Sequence, residues 1–221
     1  MAMRHVLGEC SARYREATGE RVDVACVGGV EAAQRVRRGE PFDFVVLARD
    51  AIDALAAERF VRAETRTDLA RSAIAIAVAQ GARRPDIASG SAIRDAVLGA
   101  RAVGYSTGPS GAHVLRLFEQ WAIAGAMAPR LVRAPPGVPV AALIARGDVE
   151  LGFQQLSELI HEPRIDVVGQ LPADIQSTTI FTSAVATATA HFEAAMALLA
   201  FLASPACDAV KRTHGMAAAG G

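Results

Sequence analysis

The sequence predicts an α/β protein, and three observations carry that prediction. Short apolar runs of strand character alternate with amphipathic helical stretches along most of the 221 residues. Glycine- or serine-bearing loops follow several of those runs. Residues 42–48 (FDFVVLA) form a mostly apolar run, the pattern of a strand covered on both faces, so most of the pairing is expected to be parallel.

The elements follow in order. Val6, Leu7, Cys10 and Tyr14 sit at helical spacing and Gly19 ends the pattern, which predicts an amphipathic helix over 3–18. Residues 22–27 (VDVACV) read as a strand broken by Gly28 and Gly29, and 31–38 as a helix closed by Gly39. After the 42–48 strand, Asp50 is the expected N-cap of a helix over 51–58. Residues 74–79 (IAIAVA) read as a strand, 80–90 as a loop, and Ser91 as the cap of a short helix. A strand over 101–105 leads through Ser106-Thr107-Gly108-Pro109-Ser110-Gly111 into a helix to about 123. Further strands are expected at 131–132, 149–153, 167–168 and 180–186. Helices are expected at 140–146 and, as a single turn, at 154–160, with two final helices split at Ser204-Pro205.

Composition removes several classes of function. Lys+Arg and Asp+Glu are both 23, so the formal net charge is zero, which argues against a nucleic-acid binder acting through bulk positive charge. The hydrophobic fraction is 52%, yet no window approaches ~18 uninterrupted apolar residues, so direct membrane insertion is not expected. Lys211 is the only lysine. Cys10, Cys26 and Cys207 are far apart and lack C-x-x-C spacing, which reads as three free thiols rather than a zinc site. The five histidines never fall at i, i+3 or i, i+4, and no metal or cofactor signature is present. Residues 1–20 contain no apolar h-region, so the chain as written is expected to carry no cleavable export signal.

The recurring chemical feature is a strand, a short Gly/Ser loop and a helix start. It occurs at Gly28-Gly29, at 106–111 and at 154–157. Helix N-termini present unpaired N–H groups and a partial positive charge, so such loops fit an anion without needing lysine; each also fits an ordinary tight turn. Arg49, just past an apolar strand, fits a carboxylate clamp and equally a solvated Arg beside Asp50. Gln154 and Gln155 fit a polar ligand and equally a helix cap. Residues 104–108 (GYSTG) match G-x-S-x-G, with Asp166 and His191 or His214 in the chain order of a hydrolase triad. Pro109, however, points to a longer loop than a nucleophile elbow allows.

The series 39–53 (GEPFDFVVLARDAID), 68–72 (DLARS), 105–111 (YSTGPSG), 149–158 (VELGFQQLSE) and 201–205 (FLASP) resembles the type II periplasmic solute-binding proteins, in their molybdate-binding-protein-like branch, over about residues 3–216. The resemblance implies a two-lobed fold with parallel-rich sheets flanked by helices. Lobe one would be 1–72 plus 184–221 and lobe two 73–183, with an anion held in the cleft. Carried over by position, the ligand contacts fall on Gly28, Gly29, Ser106, Thr107, Ser110 and Gly111, with Arg49, Gln154 and Gln155 as further candidates. Gln155 stands where molybdate binders have tyrosine, and Gly28 and Gly29 stand where serines are usual, which favours a small organic acid over molybdate or tungstate. The chain begins at the helix that follows the family's first strand, so a strand from upstream or from a second copy in a dimer is expected to fill that slot.

The resemblance implies a small anionic ligand, no cofactor, and delivery to the permease of an ABC importer, which would place the protein in the periplasm if its N-terminus lies upstream; as written the chain reads as cytoplasmic. Two alternatives are an isomerase of a small tricarboxylate resembling aconitate isomerase and a cytoplasmic anion sensor. No His or Glu lies in the three loops except Glu158, which favours binding over catalysis, and no catalytic residue is assigned.

Overall fold

The structure, a computed structural model, describes residues 1–220. The chain forms two compact units, Met1–Ser72 with the segment from Thr179 onward, and Ala73–Thr178. In order, the elements are α1 (Arg4–Thr18), α2 (Gly29–Arg37), β1 (Phe44–Ala48), α3 (Arg49–Ala57), β2 (Thr67–Ala79), α4 (Gly90–Gly99), β3 (Val103–Tyr105), α5 (Pro109–Gln120), α6 (Ala124–Met127), β4 (Leu131–Arg133) and α7 (Val140–Arg146). They continue with β5 (Leu151–Gln155), α8 (Leu156–Leu159), β6 (Ile165–Gln170), β7 (Thr178–Val185), α9 (Phe192–Ala203), α10 (Asp208–Thr213) and β8 (Ala217–Ala218).

In the first unit the strand order is β1–β7–β2, with β8 paired to Ala70 and Arg71 of β2. One face of this sheet is covered by α1 and α9, where Val6, Leu7 and Tyr14 pack with Leu198, Leu199 and Leu202. A second cluster joins Val36 of α2 and Ile52 and Leu55 of α3 to Val45 and Leu47 of β1. The helix α1 stops where the sequence says it must: Gly19 takes φ 79°, a left-handed conformation that costs glycine little, and its N–H closes on the Arg15 carbonyl.

In the second unit the order is β2–β5–β3–β4, with β6 also on β2. Here β2 shows how its alternation builds two layers. Ile74, Ile76 and Val78 enter a core with Phe118 of α5, Phe153 of β5 and Val97 of α4. Ala75 and Ala77 face the other way, against Val140 and Ile144 of α7. The small residues on that face let α7 lie close. A Cβ at Gly152 of β5 would stand 2.5 Å from Ile144 Cδ1 and 2.7 Å from Val140 Cγ1, so glycine is required there. Each large apolar side chain buried in this way contributes roughly 1.5–3 kcal/mol.

The sheet is mixed. Pairs β3–β4 and β3–β5 are parallel, as the helix-strand alternation predicts. The pairs made by the strands that run from unit to unit are antiparallel: β1 with β7 (Phe44 opposite Val185) and β2 with β5 (Ile74 opposite Gln155). Alternation of elements along the chain cannot reveal a strand that leaves one unit and a strand that returns.

Four local expectations are corrected. Residues 22–27 form no strand: Val22, Val24 and Cys26 are half-buried while Arg21, Asp23 and Ala25 are exposed, yet the segment joins no sheet ladder. Alternation specifies which side chains face the core, but a strand also needs backbone pairing, which this segment does not make even with the open edge of β1. Here β1 ends its sheet with β7 as its only partner among the described residues. Asp50 is no N-cap, because α3 begins at Arg49 directly on β1 and Asp50 occupies its first turn. Ser89 rather than Ser91 caps α4, its hydroxyl accepting from Ala92 N at 3.1 Å. Gln154 and Gln155 end β5 instead of following it. No single helix among the described residues is long and apolar enough to cross a membrane.

Candidate functional site

In the second unit the loop between β3 and α5 carries the densest set of donors. The N-cap Gly108 is extended and Pro109 opens α5, a position where its missing N–H costs nothing. The hydroxyl oxygens of Ser106 and Ser110 lie 2.9 Å apart, and Ser106 Oγ also accepts from Gly108 N at 3.3 Å. Thr107 is exposed and Ser110 is buried. The turn is closed tightly enough that a Cβ on Gly111 would stand 1.8 Å from the Ser106 carbonyl oxygen. No side chain caps α5; with Pro109 lacking an N–H and Gly108 N bonded to Ser106 Oγ, the buried residues Ser110 and Gly111 carry its remaining first-turn N–H groups.

This geometry removes the nucleophile-elbow reading of GYSTG. The helix starts three residues after Ser106, and the Ser106 hydroxyl is paired with Ser110. Two of the three candidate triad partners are engaged elsewhere: Asp166 accepts from Gly81 N at 3.0 Å, and His214 Nε2 pairs with Glu9 at 3.1 Å.

Gln154 and Gln155 are both 2% exposed at the end of β5. Gln154 Oε1 accepts from Val140 N at 2.8 Å, so its carbonyl satisfies an orphan N–H at the start of α7. The helix-cap alternative therefore holds for Gln154, but toward α7 and not toward α8. Gln155 lies opposite Ile74 of β2. Glu158 falls in the first turn of α8.

In the first unit, Gly28 is the extended N-cap of α2 with no side-chain cap, and a Cβ at Gly28 would meet nothing within 4 Å. Glycine here is not a steric demand; it leaves the helix start uncovered. Arg49, the first residue of α3, forms an ion pair with Asp68 of β2, whose other oxygen accepts from Thr182 Oγ1 of β7 at 2.6 Å. Burial works to raise the Asp68 carboxyl. The hydrogen bonds from Thr182 and Arg49 outweigh it and hold the group below the ordinary Asp value.

Sequence reasoning did not single out Asp68 or Thr182 as site residues, although Asp68 opens the DLARS stretch. Both are polar residues on strands otherwise rich in apolar side chains, which is the signal that marks them. Gln176 was missed as well. Its Oε1 accepts from Ile74 N and Ser177 N, both at 2.9 Å, and its Nε2 donates to the Ile74 and Leu171 carbonyls, both at 3.1 Å. No group of three or more His, Cys, Asp or Glu among the described residues is arranged to hold a metal.

Two strands of this α/β fold, β2 and β7, run between its two units. The family model described as bacterial extracellular solute-binding protein matches residues 1–217, and the chain belongs to that family. It is 40% identical over 209 residues to an aconitate isomerase of a Pseudomonas species, covering 92% of this chain and 79% of that protein. Among solved structures, the periplasmic molybdate-binding protein of Azotobacter vinelandii superposes with a TM-score of 0.81 at 17% identity, covering 97% of this chain and 95% of that one. PEB3, a Campylobacter jejuni protein, solved with bound L-phospholactate, gives a TM-score of 0.73 at 15% identity, covering 98% of this chain and 96% of that one. The fold is that of the molybdate-binding-protein-like branch.

Proposed function

We propose that this protein binds a small organic acid, a di- or tricarboxylate, through backbone and hydroxyl donors rather than through lysine. The observation that supports this most is the uncapped start of α5, where Ser106, Thr107, Ser110 and Gly111 gather donors at the positive end of a helix. The start of α2 at Gly28 and Gly29 offers backbone N–H groups of the same kind. Arg49, Gln154 and Gln155 are the further candidate contacts. Arg49 would exchange its Asp68 partner for a ligand carboxylate. In this reading the protein is the solute-binding component of an ABC importer, and the permease is its partner.

A second reading, turnover of the bound acid, is favoured by the 40% identity to an aconitate isomerase. Moving a double bond in such an acid requires removal and return of a proton, and Glu158 is the carboxylate to test as its carrier. Titration calorimetry with cis-aconitate, citrate and molybdate tests binding. Saturable heat with the carboxylates and none with molybdate supports the primary reading. Incubation with cis-aconitate followed by product analysis separates the two: formation of the trans isomer, abolished by Glu158→Gln, selects the isomerase, and saturable binding without product selects the binder.

A further inference from the structure

We propose that Cys10 and Cys207 are a disulfide-forming pair that staples the first helix of the chain to its C-terminal helices. Cys10 lies on the inner face of α1, and Cys207 stands immediately before α10. Both are 0% exposed, and both belong to one apolar cluster. Each thiol is the largest influence on the other's ionisation, so the two sulfurs lie near each other within this cluster. The helix α1 packs against both α9 and α10, so the bond would form within an existing contact. Cys26, half-buried in the unpaired segment after α1, lies outside this cluster.

The chemistry around the pair is polarised. The only lysine of the chain, Lys211, is 1% exposed one turn beyond Cys207, with Nζ 3.1 Å from Asp208 Oδ1. A buried ammonium is costly unless it has anionic company. The hydrogen bond from Cys10 lowers the Cys207 thiol below its ordinary value despite burial, helped by the Lys211 charge; the same contact and burial push Cys10 up. Cys207 therefore gives up its proton more readily than Cys10.

With a small-molecule disulfide, RSSR, as oxidant, the Cys207 thiolate attacks one sulfur and releases RS⁻, forming a mixed disulfide. Cys10 gives its proton to RS⁻ and attacks the Cys207 sulfur of that mixed disulfide, expelling the second thiolate, which takes up the proton originally lost from Cys207. The net change is two protein thiols and RSSR to one protein disulfide and two RSH. Because the sulfurs are buried, the exchange proceeds while α1 is undocked, during folding; the Cys10 contact is then absent, and the nearby Lys211 charge is what favours the Cys207 thiolate.

The test refolds the full chain from denaturant with and without oxidised glutathione. The protein refolded with oxidant should lose two hydrogens in intact mass and show one titratable thiol in denaturant instead of three. A single cross-linked peptide should join the Cys10 and Cys207 fragments. Closing a loop of nearly the whole chain should raise the thermal midpoint by roughly 10 °C over the reduced form. Cys26→Ser should reproduce the mass loss, and Cys207→Ser should abolish it. Three titratable thiols after oxidation, a cross-link that includes Cys26, or glutathione retained on Cys207 without closure would each overturn the proposal.

Discussion

Gly111 and Ser106 meet backbone to backbone: an added Cβ at residue 111 would lie 1.8 Å from the Ser106 carbonyl oxygen. The turn before α5 closes only with glycine at that position. Gly111→Ala should therefore destabilise the protein by about 3 kcal/mol and remove anion binding, measured by denaturant unfolding and by calorimetry. Gly28→Ser is the informative contrast. Its Cβ meets nothing within 4 Å and φ is −62°, so stability should stay within about 0.5 kcal/mol, while the added hydroxyl at the start of α2 alters anion affinity.

The Arg49–Asp68–Thr182 chain makes a pH prediction. Asp68 is held below its ordinary value of 3.8, so its folded form binds protons less readily than its unfolded form. The stabilisation it brings is present above that value and is lost as pH falls through the folded pKa. Asp68→Asn should flatten the acid side of a midpoint-versus-pH curve below pH 3.8 and lower stability near neutrality. An unchanged acid limb would show that the ion pair adds nothing to folding.

Gln176 ties the two chain segments that lead between the units, at their roots in the second unit, by bonding both backbone groups of Ile74. Gln176→Ala should cost roughly 1–3 kcal/mol in unfolding free energy because Ile74 N loses its acceptor, while the Ile74 carbonyl keeps Leu171 N. Gln176→Glu, which keeps the acceptor for Ile74 N but loses the donor to the Ile74 and Leu171 carbonyls, should retain part of that stability.

How much of this was legible in the sequence depends on what each residue reports. Helix ends were legible because glycine announces them: Gly19, Gly39 and Gly147 all take positive φ. The Ser106–Gly111 loop was legible as a Gly/Ser loop before a helix, and α5 begins within it at Pro109. Long-range polar contacts were not. Gln154 reads as a ligand contact or a local cap, and only the packing of α7 on β5 shows its carbonyl on Val140. Asp68 and Thr182 are far apart along the chain and meet because β2 and β7 are neighbours. Residues 22–27 mislead for a related reason: alternation reports which side chains face the core, while a strand also requires backbone pairing that this segment does not make.

The central claim is that helix starts and hydroxyls, without lysine, hold a small carboxylate. The most direct measurement is a thermal-shift titration of the protein with molybdate, tungstate, phosphate, and di- and tricarboxylates. At about 100 times its dissociation constant, a true ligand adds ~2.7 kcal/mol of stability. The account predicts a saturable rise in midpoint with one or more carboxylates, absent in Gly111→Ala. A rise confined to molybdate and tungstate, or no shift with any anion, would contradict it.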